Sequence, residues 1–185
     1  MTGAPDSRSP FDDLPGDLMI WVLIVSELLV FGAGLAAFLA VRITDPAGFA
    51  AAQDHLHRGA AGMNTIVLVT SGLLAAVAAR AAEAGRAAAV RGWLAGAALL
   101  GAVFLGVKAW EYNDLAHAGI GMESHALFTF YYLLTGFHAA HVAAGMILLA
   151  LVGWLATPKA VETGAAFWHM VDLVWVLLFP VVYLL

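Results

Sequence analysis

Five long apolar stretches constrain this 185-residue chain more than any other feature of its sequence. A helix that crosses the hydrocarbon core of a bilayer needs about 20 mainly apolar residues. Stretches of that kind run over residues 17–41, 63–82, 92–112, 126–156 and 164–185. Because lipid cannot hydrogen-bond to the backbone, a single spanning segment must be helical. The sequence therefore predicts an all-α integral membrane protein with five transmembrane helices in one bundle.

The composition agrees with a membrane protein and excludes several other classes. Hydrophobic residues make up 63% of the chain and charged residues 11%, whereas a soluble domain carries about 25% charged residues. No long basic patch indicates nucleic-acid binding, and a chain without cysteine has no disulfide or thiolate metal site. Residues 1–16 are acidic and lack the features of a signal peptide. We therefore expect a flexible tail over residues 1–16 and one transmembrane domain over residues 17–185.

Turn-forming residues separate the predicted spans. Asp45 and Pro46 follow the first span, Gly85 divides the second from the third, and Pro158 closes the fourth. Pro180 lies near the end of the last span, where its missing N–H predicts a kink or the end of the helix.

The distribution of Lys and Arg predicts the orientation in the membrane, because cytoplasmic ends of spans collect positive charge. Five spans place the two termini on opposite sides. The N-terminal side carries Arg8, Arg80, Arg86, Arg91 and Lys159, and the other side carries Arg42 and Arg58, with Lys108 close enough to reach it. The count predicts a cytoplasmic N-terminus.

Ionisable residues inside the spans are the candidate functional groups, since each costs roughly 2.5–3.5 kcal/mol near the middle of a membrane helix. His138 and His141 are three residues apart and share one helix face. At about 1.5 Å of rise per residue, Glu27 and His138 fall near the midplane. His141, His169 and Asp172 fall in the cytoplasmic half, so most of these groups can meet there.

Three interpretations of these polar residues stay open. They can hydrogen-bond across helices and fix the bundle, ligate a metal or a haem through imidazole, or relay protons as carboxylate and histidine chains do in pumps. The sequence contains no nucleotide-binding loop and no hydrolase or metalloprotease motif.

Two further features of the third span concern packing. Lys108 and Glu111, at i and i+3, are expected to pair with each other and to anchor that helix end by reaching the membrane interface, so we assign them to no site. Small residues recur at four-residue spacing, which predicts close approach of helix backbones. The pairs are Gly92 with Gly96, Ala97 with Gly101, and Ala102 with Gly106.

Segments on every predicted helix resemble the haem-copper oxidase subunit III family, which includes subunit III of cytochrome c oxidase. They are WVLIVSELLVF at 21–31, MNTIVLVTSG at 63–72, FLGVKAWEY at 104–112, YYLLTGFHAAHVAAG at 131–145 and FWHMVDLVWVLLFPVVYLL at 167–185. The elements TGFHxxHV and WHxxDxxW are specific as a pair. The longer members of the family have seven helices, and this chain resembles the shorter, five-helix type.

The resemblance implies an accessory subunit that has no redox centre or metal of its own and packs beside a catalytic haem-copper subunit, which holds the haem and metal. It also implies a bacterial cytoplasmic membrane location and contact with membrane phospholipid. Within the family, the loop RITDPAGFAAAQ at 42–53 resembles the NorE-type accessory subunits of nitric oxide reductases. A terminal cytochrome c or quinol oxidase is the other partner that the resemblance implies. A free-standing transporter, or a proton-relay or haem-binding protein, is the competing interpretation from the polar residues.

Six residues match the family's intramembrane polar motifs, and the resemblance implies that they hold the first, fourth and fifth spans together. They are Glu27, His138, His141, Trp168, His169 and Asp172.

Overall fold

The computed structural model describes residues 18–185, so the predicted tail over residues 1–16 lies outside the described residues. The elements are α1 Leu18–Thr44, α2 Pro46–Gln53, α3 Arg58–Glu83, α4 Ala87–His117, α5 Ala126–Leu155 and α6 Pro158–Phe179, followed by a π-helical turn, Pro180–Leu184. Five of these helices are long and apolar enough to cross a membrane, the last one being α6 with its π-helical extension. The prediction of an all-α, five-span protein is confirmed.

The helices extend beyond the apolar stretches that predict them. Helix α3 begins at Arg58, α4 ends at His117, and α6 begins at Pro158. The 31 residues of α4 correspond to about 46 Å of helix, against a hydrocarbon core of about 30 Å. Polar residues at the helix ends therefore continue the helix into the aqueous layers, where hydropathy gives no signal.

Helix α2 lies in the connection after α1 and was not predicted. It begins at an N-cap, Asp45, whose Oδ1 accepts a hydrogen bond from the Gly48 N–H at 3.0 Å. Pro46 occupies the first turn, where a residue without an N–H is favourable. The residues that predict a turn here are thus also those that start a short helix.

Proline also shapes both ends of α6. Pro180 ends the α-helix at Phe179 and begins the π-helical turn, which confirms the expected break. Pro158 follows the end of α5 as predicted, since α5 ends at Leu155 and Ala156 adopts the left-handed conformation, with φ 51°. Pro158 also opens α6, a position that suits its fixed φ.

Four helices pack into a closed ring, in which α3 contacts α4, α4 contacts α5, α5 contacts α6, and α6 returns to α3. Helix α1 lies outside this ring against α5 and α6. The buried residues of α1 are Ile24, Phe31 and Phe38, spaced seven apart, so α1 contacts the bundle through one narrow stripe.

Trp168 on α6 occupies the interior of the ring and is fully buried. Its indole ring lies against Gly101 of α4 and Gly145 of α5, where an added Cβ would come within 2.8 Å and 2.7 Å of the ring. The indole Nε1 donates a hydrogen bond to Ser71 Oγ on α3 at 3.0 Å, and that hydroxyl donates to the Ala97 carbonyl on α4 at 2.7 Å. One side chain therefore joins all four helices of the ring.

The predicted small-residue row on α4 is used only in part. Gly101 admits the Trp168 ring, and a Cβ at Gly96 would come within 3.1 Å of Leu74. A Cβ at Gly92 or Gly106 would meet no atom within 4 Å. Close approach is thus required at individual positions and not along the whole row.

Candidate functional site

The six predicted polar residues do not share one place in the bundle. Glu27 and His141 meet between α1 and α5, and His169 and Asp172 form a couple on α6. His138 and Trp168 are both fully buried in the interior. The positions along the helices predicted that these residues could form one cluster. In the structure they are separated, and each group has its own surroundings.

Glu27 and His141 connect the peripheral helix α1 to the ring. The Nε2 atom of His141 lies 3.2 Å from Glu27 Oε2, and its Nδ1 lies 2.9 Å from the Phe137 carbonyl oxygen. A carbonyl cannot donate, so Nδ1 carries a hydrogen. The Nε2–Oε2 contact is within ion-pair distance, but Glu27 Oε2 has no hydrogen-bond partner among the described residues.

His138 lies in an aromatic cage, although only three residues separate it from His141. Its ring stacks on Trp175 at a centroid distance of 5.2 Å, with Phe104 and Phe31 edge-on at 5.5 Å and 6.3 Å. Neither ring nitrogen has a hydrogen-bond partner among the described residues. The two histidines therefore share a helix but not an environment.

Metal ligation needs several donor side chains in one place. Within residues 18–185, no group of three or more His, Asp or Glu side chains is arranged to hold a metal ion. The spacing of His138 and His141 brings no third ligand with it in this part of the chain.

His169 and Asp172 form the most open of the polar groups inside the bundle. Their closest atoms, Nδ1 and Oδ2, are 3.7 Å apart, which is too long for a hydrogen bond. The Asp172 Oδ1 atom is buried and has no hydrogen-bond partner among the described residues. Asp172 Oδ2 lies so close to the α3 backbone at Gly72 that a Cβ there would clash with it.

The true start of α6 places this couple deeper than the sequence suggested. His169 and Asp172 are the twelfth and fifteenth of the 27 residues from Pro158 to Leu184. Gly72, which Asp172 touches, is the fifteenth of the 26 residues of α3. The couple therefore lies at the middle of the membrane, and not in one half of it.

A fourth polar group, which the sequence interpretation left unassigned, centres on Lys108. Its Nζ donates to Glu111 Oε2 at 2.8 Å, to Tyr131 Oη at 2.9 Å and to Tyr183 Oη at 2.8 Å. The Tyr183 hydroxyl donates in turn to Glu111 Oε2 at 3.0 Å. All three donors of the ammonium group are thus used. We call Lys108, Glu111, Tyr131 and Tyr183 the lysine cluster.

The expectation that Lys108 and Glu111 reach the membrane interface is wrong. They are 2% and 1% exposed, because α4 continues to His117 and places Lys108 nine residues from the helix end instead of four. Rings of Tyr112, Tyr131, Trp175 and Tyr183 surround the Nζ atom at 4.5–5.7 Å from their centroids. Cation–π contacts of this kind stabilise a desolvated ammonium group. The sequence feature that could have predicted a buried Lys108 is the set of three tyrosines and one tryptophan at its depth in the same and neighbouring spans.

The lysine cluster also holds the C-terminal turn in place. Tyr183 is fully buried, and the neighbouring Val182 carbonyl accepts a hydrogen bond from Gln53 Nε2 on α2 at 2.7 Å. Arg42 Nη1 of α1 donates to Gln53 Oε1 at 3.1 Å. The end of the last span is therefore tied to α1, α2, α4 and α5.

Outside the spans, loop histidines pair with exposed aspartates. His57 Nε2 lies 3.4 Å from Asp114 Oδ2, and His125 Nε2 lies 3.3 Å from Asp45 Oδ2. The Gly48 N–H, and to a lesser extent His125, hold the pKa of the Asp45 carboxyl below its usual value of 3.8. These contacts fix the connections at the end of the bundle opposite the start of α1.

The fold and these groups define a class of protein: a five-span helical membrane subunit whose mid-membrane polar couple lacks a full set of partners within the described chain. The model of the family "Cytochrome c oxidase subunit III" matches residues 17–185. The chain belongs to this family. It is a non-catalytic accessory subunit of a haem-copper respiratory complex, with several spans in the bacterial cytoplasmic membrane.

Several subunits of bacterial respiratory oxidases are similar to this chain over most of their length. Cytochrome c oxidase subunit 3 of Corynebacterium diphtheriae is 35% identical over 173 residues, which cover 88% of this chain and 84% of the relative. Cytochrome bo(3) ubiquinol oxidase subunit 3 of Pseudomonas putida is 30% identical over 176 residues, or 91% and 84% of the two chains. Cytochrome c oxidase subunit 3 of Bacillus sp. (strain PS3) is 28% identical over 190 residues, or 98% and 91%.

Proposed function

We propose that this chain packs against the catalytic subunit of a terminal oxidase and stabilises it in the membrane. The observation that carries the proposal is the family match over residues 17–185, together with relatives named as subunits of cytochrome c and ubiquinol oxidases. A nitric oxide reductase, suggested by the DP-containing loop at 42–53, is the alternative partner.

The partner can be identified by purifying the tagged chain from its native membranes in mild detergent. We expect a haem absorption band to co-purify, with oxygen reduction by the isolated complex and peptides of an oxidase catalytic subunit in its mass spectrum. If the complex reduces nitric oxide and has no oxidase activity, the partner is a nitric oxide reductase and not a terminal oxidase. Recovery of the chain without any haem protein would contradict the proposal altogether.

The N-terminus of the chain faces the cytoplasm in this proposal. Among the described residues, Arg80, Arg86, Arg91 and Lys159 lie at the N-terminal side of the bundle, and Arg42 and Arg58 lie at the other side. Lys108 no longer counts for the second side, because it is buried in the bundle. The excess of positive charge at the N-terminal side supports this orientation, which cysteine labelling from one side of intact spheroplasts would test.

The predicted polar residues serve mainly to join helices. Trp168 reaches Ser71 across the ring, and Glu27 and His141 join α1 to α5. A proton relay through His138 has less support, because neither of its ring nitrogens has a hydrogen-bond partner in the described chain.

The variant His141→Gln separates the two roles of the Glu27 contact. If this contact only joins helices, the variant should lower the amount of assembled complex and leave turnover per assembled complex unchanged. Normal assembly with slowed proton uptake would favour the relay instead.

Phospholipid binding has a candidate place between α4 and α5. An apolar groove of about 760 Å³ runs between these helices, lined by Leu99, Ala102, Met146 and their neighbours, with Arg91 at one end. Arg91 Nε donates to the Gly153 carbonyl near the end of α5 at 3.3 Å, which uses one of the five guanidinium N–H donors. The remaining donors at the interface suit the phosphate of an anionic lipid, with its acyl chains in the groove.

Native mass spectrometry of the purified protein, supplied with phosphatidylglycerol or phosphatidylcholine, tests this site. We expect phosphatidylglycerol to be retained preferentially and Arg91→Gln to reduce its retention by roughly tenfold, the equivalent of one charged hydrogen bond. Arg86→Gln is the control, because Arg86 lies at the same membrane side but does not line the groove. Equal retention in both variants would contradict the assignment.

A further inference from the structure

The outer surface between α3 and α6 combines an apolar groove with a polar couple at its centre. The groove has a volume of about 530 Å³. His169 and Asp172 line it, together with the apolar side chains Val69, Leu73, Leu173, Val176 and Leu177. The His169 side chain is 47% exposed, so its imidazole faces whatever covers this surface.

The Asp172 carboxyl beside His169 lacks a full set of hydrogen bonds among the described residues. The residue is only 8% exposed, yet its Oδ1 atom has no hydrogen-bond partner among the described residues, and its Oδ2 atom is 3.7 Å from His169. Buried polar atoms in folded proteins nearly always have a partner. The chain itself places Asp172 here, because Gly72 leaves room for the carboxyl against α3.

Depth decides between lipid and protein as the occupant. In the groove between α4 and α5 the one charged residue, Arg91, lies at the end of the helices, at the level of lipid headgroups. In the groove between α3 and α6 the polar couple lies at the middle of both helices. At that depth a lipid offers only hydrocarbon, which neither donates nor accepts a hydrogen bond. A protein helix is the occupant that can supply a donor there.

We propose that the α3–α6 groove is the docking surface for a transmembrane helix of the catalytic haem-copper subunit. This helix is apolar along the groove and brings a polar side chain to the exposed His169 imidazole and to the Asp172 carboxyl beside it. The inference rests on the proposed function, and it adds which face of the subunit is covered and by what chemistry. Small and polar side chains are the usual contacts between packed membrane helices.

Site-specific photo-crosslinking in native membranes tests the docking face. The photoreactive residue p-benzoylphenylalanine replaces Leu173 in the α3–α6 groove, or Leu99 in the α4–α5 groove as a matched control. Both positions are exposed leucines at the membrane-facing surface. We expect irradiation to join the Leu173 variant to the catalytic subunit, identified by its peptides, and to leave the Leu99 variant unjoined to that subunit.

The other outcomes separate the inference from the proposed function. A cross-link to the catalytic subunit from Leu99 and only lipid adducts from Leu173 would overturn the docking face and leave the proposed function intact. If the tagged chain recovers no haem protein and both variants give only lipid adducts, the proposed function and this inference both fail.

Substitution of the polar couple provides a second measurement. Asp172→Asn keeps the shape of the side chain, and we expect it to reduce the catalytic subunit retained by the tagged chain by roughly tenfold. His169→Leu should act in the same direction, whereas Leu99→Ala should leave retention unchanged. The melting temperature of the purified subunit alone shows whether a variant has failed to fold. Unchanged retention in both His169 and Asp172 variants would contradict the proposed contact.

Discussion

The lysine cluster and the His169–Asp172 couple are both ionisable groups inside the bundle, but the chain treats them in opposite ways. Lys108 uses its three donors on Glu111, Tyr131 and Tyr183. The closest atoms of His169 and Asp172 are 3.7 Å apart, and Asp172 Oδ1 has no hydrogen-bond partner within the described residues. The ammonium group of the first therefore has all its donors used inside the subunit, although Glu111 Oε1 has no partner among the described residues, whereas the second has no internal hydrogen bond between its two members.

The difference separates polar residues that fix the fold from those that serve a contact with another protein. A charge buried in low dielectric costs several kcal/mol unless its partners are close and well aligned. The lysine cluster meets that requirement with groups from α4, α5 and the C-terminal turn. The couple on α6 does not meet it within the described residues, and under the proposed docking its cost would be offset by the helix that covers the groove. A fully bonded ammonium group in the interior thus indicates structure, and an exposed imidazole beside a carboxyl at a membrane-facing groove favours the proposed association.

Breaking the lysine cluster should have the largest effect. Lys108→Met leaves the Glu111 carboxylate buried without its cation, and we expect a loss of about 3–5 kcal/mol in the free energy of unfolding of the purified subunit. Thermal unfolding in detergent micelles, followed by circular dichroism, measures this loss. Arg86→Met removes an exposed cation that lies just before the start of α4 and should change the stability by less than about 0.5 kcal/mol.

A double substitution distinguishes the lost ion pair from lost packing. The variant that combines Lys108→Met with Glu111→Gln has no unpaired charge, and we expect it to recover at least about 2 kcal/mol relative to Lys108→Met alone. A double variant as unstable as the single one would mean that the packing of the lysine side chain, and not its charge, holds the cluster together.

The removal of one phenol from the cluster should have a smaller effect. Tyr183→Phe deletes a hydroxyl that accepts from Lys108 and donates to Glu111, and each hydrogen bond to a charged group contributes about 1.5–3 kcal/mol. Because Lys108 keeps two other partners, we expect a total loss of about 2 kcal/mol. The matched control is Tyr132→Phe, which loses one bond to the neutral Ile120 carbonyl and should cost about 1 kcal/mol. Equal losses in the two variants would argue against a special role for the cluster.

The sequence predicted the helices well, because long apolar stretches leave a chain few alternatives. It predicted the polar groups less well, since their partners depend on helix ends and helix rotation. Lys108 is the clearest example. A span that ends at Tyr112 puts the lysine near the interface, and the real end at His117 puts it inside the bundle. The last turns of α4 are polar, so hydropathy could not locate that end.

The histidine pair shows the effect of rotation. His138 and His141 differ by about 60° around the helix axis at 100° per residue, which a sequence interpretation treats as one face. In the structure this difference puts His138 against Trp175 in the interior and His141 beside Glu27 at the edge of α1. The contacts between helices decide whether each imidazole faces the interior of the bundle or its edge. The sequence does not display these contacts.

The couple on α6 should tolerate substitution in the isolated subunit. Asp172→Ala removes a carboxyl that has no hydrogen bond to Oδ1 among the described residues and that presses on Gly72. We therefore expect the free energy of unfolding of the purified subunit to change by no more than about 1 kcal/mol, measured as for Lys108→Met. A loss as large as that of Lys108→Met would show that the couple is completed within the subunit, and the contrast between the two groups would disappear.

The smallest effect on stability is expected for Asp45 and His125, which contact each other outside the membrane. This pair allows a polar contact in water to be compared with the two groups inside the bundle. The Gly48 N–H, and then His125, lower the pKa of Asp45 below 3.8. A carboxyl with a depressed folded-state pKa stabilises the fold above its unfolded-state pKa and loses that contribution as the pH falls through the folded-state value.

The stability difference between wild type and Asp45→Asn should therefore be present at about pH 5 and should close below pH 3.8. Carboxyl ¹³C chemical shifts of the subunit in micelles would report the Asp45 pKa directly. His125→Gln should raise this pKa only in part, because the larger cause, the hydrogen bond from Gly48, remains. A pKa of Asp45 above 3.8 in wild type would contradict the capping geometry. A difference between wild type and Asp45→Asn as large as that expected for Lys108→Met would show that exposure to water does not weaken such contacts.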